Sequence, residues 1–240
     1  MIIHAHILAF NEEKILPFIL DYYSKICDKI YIYDNISTDS SDDIYFKYPK
    51  VSVIKWSSDN SFNDNYNKEL KSNAYKQYSR DADWVIVCDC DEILYHPNLI
   101  NLLKSYKKMG IDMPLIDGRD MVSETFPEYD GRLITEIVQI GSETYDVMCK
   151  NIIFNPKKDV FFSFGAHSNF CQDCVRSPER ELKLLHYKFL GKEYVNNIYK
   201  ERLNRLSEFN TKNGLGIHYN NPPMDYMDKL IKENRNVITE

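Results

Sequence analysis

Apolar and polar residues alternate in two rhythms along the first half of the chain. Residues 2–10 (IIHAHILAF) are apolar apart from two histidines and predict a buried strand. Asn11, Glu12 and Glu13 follow as a polar loop and an acidic first turn, which suits a helix N-terminus. Ile15, Leu16, Phe18, Ile19, Tyr22, Tyr23 and Ile26 then recur at helical spacing. Residues 29–33 (KIYIY) alternate as a strand and run into a turn-forming stretch from Asp34 to Asp39. A short helical piece reaches Tyr48, Pro49 breaks it, and residues 51–56 (VSVIKW) predict a third strand. Residues 63–78 are polar but helix-compatible, with Leu70, Ala74, Tyr75 and Tyr78 on one side. Residues 84–88 (WVIVC) form a continuous apolar run, the pattern of a central parallel strand buried on both faces. Pro97 opens the next helix, which extends through Lys108.

Strand and helix alternate to this point, so the expected fold class is α/β, with a mainly parallel sheet flanked by helices. After Met113 the rhythm changes. Short apolar runs at 114–116, 133–140, 151–154 and 160–164 are separated by turn residues and predict a small antiparallel annex. Residues 182–187 read as a further strand, 192–209 as a long helix, and 225–236 as a final helix after Pro222 and Pro223. There is no internal repeat and no low-complexity linker.

Composition narrows the function class. At 240 residues the chain has the size of one domain that buries a core without staples. The net charge of −6 and the absence of a basic run argue against nucleic acid as a partner. An acidic chain that binds an anion needs local positive charge, and a divalent cation is one source. The opening residues lack the charged flank and cleavage site of a secretion signal. No stretch reaches the roughly 18 apolar residues of a membrane helix. Cys27, Cys88, Cys90, Cys149, Cys171 and Cys174 are therefore read as reduced thiols in a cytoplasmic protein, with peripheral membrane contact left open. The spacing of Cys171 and Cys174 also admits a zinc site, a reactive dithiol or a surface disulfide.

Ligands of open α/β sheets bind beyond the carboxyl ends of the strands. Three polar clusters fall at such ends: Asn11-Glu12, Asp34 to Asp39, and Asp89-Cys90-Asp91-Glu92. In extended backbone Asp89 and Asp91 point the same way, and two carboxylates that close repel unless a cation lies between them. Mg²⁺ or Mn²⁺ suits carboxylate oxygens and commonly bridges to substrate phosphates. The plainer alternative is a solvated acidic loop.

The segments ILAFNEEKILPFILDYY, IYIYDNISTDSS and DADWVIVCDCDEIL resemble, in that order, blocks of family 2-like glycosyltransferases with the GT-A fold. LLHYKFLGKEYV (184–195) resembles the later block of a small branch in which HY precedes a helix. The resemblance covers about the first 100 residues and is thin from there to Leu184. It implies one domain, with residues 1–112 binding the nucleotide sugar and 113–240 the acceptor. It also implies that Ala9, Phe10, Asn11 and Glu12 line the nucleotide pocket, that Asp34 hydrogen-bonds the base, and that Asp39 braces the loop. Asp89 would face the ribose or the metal, Asp91 would bind Mn²⁺ or Mg²⁺, and His186 would complete the metal shell. The implied reaction moves a sugar from a nucleotide diphosphate, a UDP-sugar for preference, to a hydroxyl of a glycan, lipid-linked or protein acceptor.

Negative charge grows on the departing diphosphate in such a reaction, and a metal ion would neutralise it. An inverting enzyme also needs a carboxylate to take the acceptor proton. The chain departs from the larger family in having no clear acidic motif for that base. Asp120, Glu124 and Asp173 are the candidates, Asp120 because it follows a predicted strand. Lys150 offers a cation to a diphosphate, beside the plainer reading of a solvated lysine. His167 sits in a glycine-containing turn, where it could contact the acceptor or the phosphates, beside the simpler reading of a structural role. Two rivals remain at this point. One is a catalytically degenerate sugar-nucleotide or glycan-binding module. The other is a nucleotidyltransferase, which would usually carry a glycine-rich phosphate loop that ILAFNEE lacks.

Overall fold

The computed structural model of the chain describes residues 1–239. Its centre is β1 (Ile3–Ala9), every residue of which is buried. β1 pairs in parallel with β2 (Lys29–Asp34) on one side and with β4 (Trp84–Asp89) on the other. β3 (Val51–Lys55) extends the sheet beyond β2 in parallel, and the short β7 (Ile153–Phe154) closes the far edge antiparallel to β4. The order is β3-β2-β1-β4-β7. The apolar runs of β1 and β4 follow from this position, since both faces of an inner strand are covered.

α1 (Leu16–Ile26) covers one face with Leu16, Phe18, Ile19, Leu20, Tyr22 and Tyr23, and has a proline in its first turn. α2 (Ser41–Tyr45) is a single turn after β2. α3 (Asp64–Tyr78) covers the opposite face; its Asn63 cap accepts hydrogen bonds from the backbone N–H groups of Asn65 and Tyr66. Tyr78 stacks on Tyr31 of β2 at 5.0 Å. α4 (Leu99–Lys108) buries Leu99, Leu103 and Tyr106.

A second sheet begins two residues after β4. β5 (Glu92–Tyr95) runs antiparallel to β10 (Leu182–Leu190), and β10 runs parallel to β6 (Ile116–Ser123). A separate antiparallel pair joins β8 (Phe161–Phe162) to β9 (Asn169–Phe170). The class is thus α/β with a mainly parallel central sheet, and the annex is part mixed sheet and part antiparallel ribbon. No helix among the described residues is long and apolar enough to cross a membrane.

Three expectations need correction. Residues 133–140 hold not a strand but a helical turn, α5 (Ile134–Ile137), which buries Ile134 and Thr135 while the Glu136 carboxylate accepts from the Leu133 N–H at 2.9 Å. The helix expected over 192–209 is two, α6 (Lys192–Asn204) and α7 (Glu208–Lys212). Ser207 caps α7, and the break is tied down where the N–H groups of Phe62 and Ser207 donate to the carbonyls of Arg205 and Phe62. Cys171 and Cys174 are joined as a disulfide, not left as thiols, because the turn after β9 brings their Cα atoms to 5.6 Å. Cys27, Cys88 and Cys90 are free and buried. The last helix, α8 (Met224–Glu233), ends at Asn234 in the left-handed conformation.

Candidate functional site

A cavity of about 650 Å³ opens at the carboxyl ends of β1 and β4 and continues against β10 and α6. That volume lies in the range of small-molecule sites. Ala9, Phe10, Asn11 and Glu12 line it where β1 ends. Asn11 takes a positive φ of 53°, which turns the chain away from the sheet. Its side chain accepts from the Thr38 N–H at 2.8 Å, while its own N–H donates to Ser37 at 2.9 Å. The loops after β1 and β2 are therefore laced together at the edge of the cavity.

Asp89, Cys90 and Asp91 line the cavity at the end of β4. Glu92, the last residue of the acidic run, points away from it. One Glu92 oxygen accepts from the Asp89 N–H at 2.9 Å and the other pairs with Lys150 at 2.7 Å. This buried carboxylate shapes the turn that presents the two aspartates. Asp89 pairs with the buried Lys71 of α3 at 2.8 Å. Burial opposes its ionisation, but Lys71 and Lys150 outweigh that and lower its pKa. Asp91 is held far below the usual carboxylate range against the same burial penalty, by His186 and then Arg202.

His186 of β10 bridges two carboxylates. Its Nδ1 is 2.8 Å from Asp120 Oδ1, and its Nε2 is 3.5 Å from Asp91 Oδ2. Burial alone would lower its pKa; Asp91 and Asp120 raise it to about 9. Asp120 is nearly buried on β6, and its second oxygen accepts from Tyr226 at 3.0 Å. Both oxygens of Asp120 are thus engaged, and it acts here as the group that orients His186. Among the described residues, no three His, Cys, Asp or Glu side chains are grouped closely enough to enclose an ion by themselves.

The structure separates the remaining candidates. Lys150 and His167 line the cavity, Lys150 buried in its pair with Glu92 and His167 with Nδ1 3.2 Å from the Val147 carbonyl. Asp34, expected at the base, lies wholly buried behind the cavity wall. It accepts from the Ser37 N–H at 2.8 Å and the Tyr45 hydroxyl at 2.9 Å, and pairs with Lys55 at 3.1 Å. Asp39 accepts from the N–H groups of Glu13 and Ser41 at 2.9 and 3.0 Å, bracing the loops. Glu124 is exposed beyond β6, outside the cavity, and Asp173 is exposed beside the Cys171–Cys174 ribbon.

The largest departure from the sequence reading is the cavity's own positive charge. Lys68, Lys71, Lys150, Lys188, Arg202 and Arg205 line it, matching in number the carboxylates of Glu12, Asp64, Asp89, Asp91, Asp120 and Glu201. The Arg205 guanidinium lies over the Phe10 ring at 3.2 Å and pairs with Glu201 at 2.7 Å. Arg202 lies 3.9 Å from Asp91. Burial, and then Arg202, lower the Lys188 pKa to about 7. Burial raises Glu12 to about 8, offset in part by Arg202. One signal for Lys188 was available: it stands in the apolar run LLHYKFL, where a lysine is out of place unless something holds it.

Fold and site together define an α/β protein with a ligand cleft of both charge signs at the carboxyl ends of its parallel strands. No family model matches the chain, and no curated protein matches it. Solved structures similar to it include S. aureus TarS, at 15% identity and a TM-score of 0.49 over 95% of this chain; the chain spans 44% of that protein. A form of S. aureus TarS comprising residues 1–349 is similar at 14% identity and a TM-score of 0.49, over 95% of this chain and 73% of the other. The same form in complex with UDP-GlcNAc is similar at 14% identity and a TM-score of 0.48, over 95% and 74% of the two chains.

Proposed function

We propose that the chain is a glycosyltransferase that takes a nucleotide diphosphate sugar, a UDP-sugar for preference, and passes the sugar to a hydroxyl of a glycan, lipid-linked or protein acceptor. The observation that carries this reading is the placement of Asp89 and Asp91 at the end of an inner parallel strand, facing a nucleotide-sized cavity whose other walls carry buried cations. A purely acidic loop in solvent would have no such counter-wall.

The reaction breaks the bond from the anomeric carbon to the diphosphate oxygen, and the electron pair leaves with that oxygen. The acceptor oxygen forms the new bond and gives up its proton. Glu12 is assigned the role of taking it: no hydrogen-bond partner among the described residues holds its side chain, whereas both oxygens of Asp120 are engaged. Because burial raises Glu12 to about 8, it would act through its ionised fraction, which grows as pH rises toward that value. Asn11 and the laced loops fix the pocket beneath the nucleotide.

A Mn²⁺ or Mg²⁺ ion would be held by Asp91, with Asp89 or His186 beside it, and otherwise by substrate phosphates and water, in the manner of ions bound by one or two protein groups. The 3.5 Å gap between Asp91 and His186 is too long for a good hydrogen bond, and the second ring nitrogen is already oriented by Asp120. Such an ion supplies positive charge to the departing diphosphate when bound.

Thermal shift with a panel of nucleotide sugars tests the reading. A UDP-sugar is expected to raise Tm when Mn²⁺ is present, and Asp91→Ala to abolish the rise. An unaffected mutant, or no shift with any nucleotide sugar, would count against it.

A further inference from the structure

Lys188 lies on β10 two residues beyond His186, is 8% exposed, and lines the cavity. Its ammonium stands over two aromatic faces, 4.9 Å from the Tyr199 centroid and 5.1 Å from that of Tyr219. Among the described residues, no oxygen accepts a hydrogen bond from it and no carboxylate forms an ion pair with it. The other buried cations of the cavity differ. Lys71 is paired with Asp89 at 2.8 Å and Lys150 with Glu92 at 2.7 Å. Beside Lys188, Arg202 of α6 donates to the Tyr219 hydroxyl at 3.2 Å and approaches Asp91 no closer than 3.9 Å. Its guanidinium lies over the rings of Phe62 and Tyr219.

An ammonium has three donors and no acceptor, and leaving them unused away from bulk water is unfavourable. Aromatic faces attract a cation but satisfy none of those donors. The arrangement leaves those donors facing the cavity, where an entering anion would meet them. We propose that Lys188 and Arg202 form a protein-built phosphate subsite that holds the donor's diphosphate on the wall facing Asp91. The identity of the anion as a donor diphosphate rests on the glycosyltransferase reading; the anion site itself rests on the two side chains. The subsite lets the chain's own cations meet the charge that develops on the departing diphosphate, independently of any ion at Asp89 and Asp91.

Calorimetric titration of the full chain with inorganic pyrophosphate, in buffer containing EDTA, tests the site. The wild type is expected to bind, Lys188→Met to bind about tenfold or more weakly, and Lys188→Arg to retain most of the affinity. Arg202→Gln should weaken binding as well. The ligand-free Lys188→Met protein should melt no lower than the wild type, because it loses a buried ammonium that lies over two tyrosine rings with no hydrogen-bond acceptor; a lysine with a structural role would instead lower Tm. UDP and uridine form the second arm: UDP should lose the same factor in Lys188→Met, and uridine should lose nothing. Failure of pyrophosphate to bind the wild type, or equal binding to Lys188→Met, overturns the proposal. UDP affinity indifferent to Lys188, with pyrophosphate affinity dependent on it, overturns the donor assignment. If no UDP-sugar binds while pyrophosphate binding depends on Lys188, the glycosyltransferase reading fails and the anion site stands.

Discussion

Removing the Lys150 ammonium should unfold the site from behind. Lys150 and Glu92 form an ion pair at 2.7 Å, with side chains 6% and 1% exposed, and the other Glu92 oxygen holds the Asp89 N–H. Lys150→Met keeps most of the stem but leaves a carboxylate buried with one backbone partner and no counter-charge. Breaking a buried pair from one side typically destabilises by about 3–5 kcal/mol. In a chain of this length that corresponds to a fall in Tm of about 6–20 °C, at about 2–4 °C per kcal/mol. The double variant Glu92→Gln with Lys150→Met should recover most of the loss, since a neutral amide needs no cation and its oxygen can still accept from Asp89. Urea unfolding at constant pH, followed by circular dichroism with the slope compared across variants, measures both quantities. A single variant within about 0.5 kcal/mol of wild type, the usual range of surface changes, would refute the role given to Glu92. So would a double variant no more stable than the single.

Further predictions concern the frame around the site. His6 is buried between Ser79 Oγ at 2.6 Å and the Tyr33 hydroxyl at 2.9 Å, and burial, with His4, lowers its pKa from 6.5 to about 3. The unfolded state therefore binds more protons between those values, so this contribution is complete above pH 6.5 and is lost as pH falls toward 3. His6→Gln should be less stable at pH 7 but show a stability slope flatter by about 1.4 kcal/mol per pH unit within the window, read from urea midpoints between pH 4 and 7. Asn63→Ala removes the cap of α3 and should lower stability by about 1 kcal/mol in the same assay. Gly118→Ala would drive a Cβ into the backbone carbonyl of Met148, so a fall in Tm corresponding to about 1–3 kcal/mol or more is expected by calorimetry.

The strands that position the site were legible because burial on both faces writes itself as unbroken apolar sequence. β1 and β4 are such runs, and the three acidic residues of the stretch 89–92 at the end of β4 were visible as an interruption. Of β6 only the start was read, in the apolar run 114–116, because Asp117, Arg119 and Asp120 lie within the strand; Asp117 pairs with Arg119, and Asp120 with His186 and Tyr226. The break between α6 and α7 left a signal in Ser207, a residue suited to capping, which helical periodicity on either side obscured. Asp34 was misplaced because position at a strand end does not say which way a carboxylate turns; Tyr45 and Lys55 draw it inward. Apart from Lys150, the cavity's cations escaped for the same reason. Lys71, Arg202 and Arg205 look like solvated helix residues until tertiary packing sets them opposite Asp89 and Asp91.

Release of UDP from a panel of UDP-sugars, followed with and without Mn²⁺ in wild type and Asp91→Asn, bears most directly on the proposed activity. Turnover of at least one donor by the wild type, its loss in Asp91→Asn, and an increase when an acceptor hydroxyl is supplied are the expected results. A folded wild-type protein that releases no nucleotide from any donor, with metal and a panel of glycan acceptors present, would contradict the account.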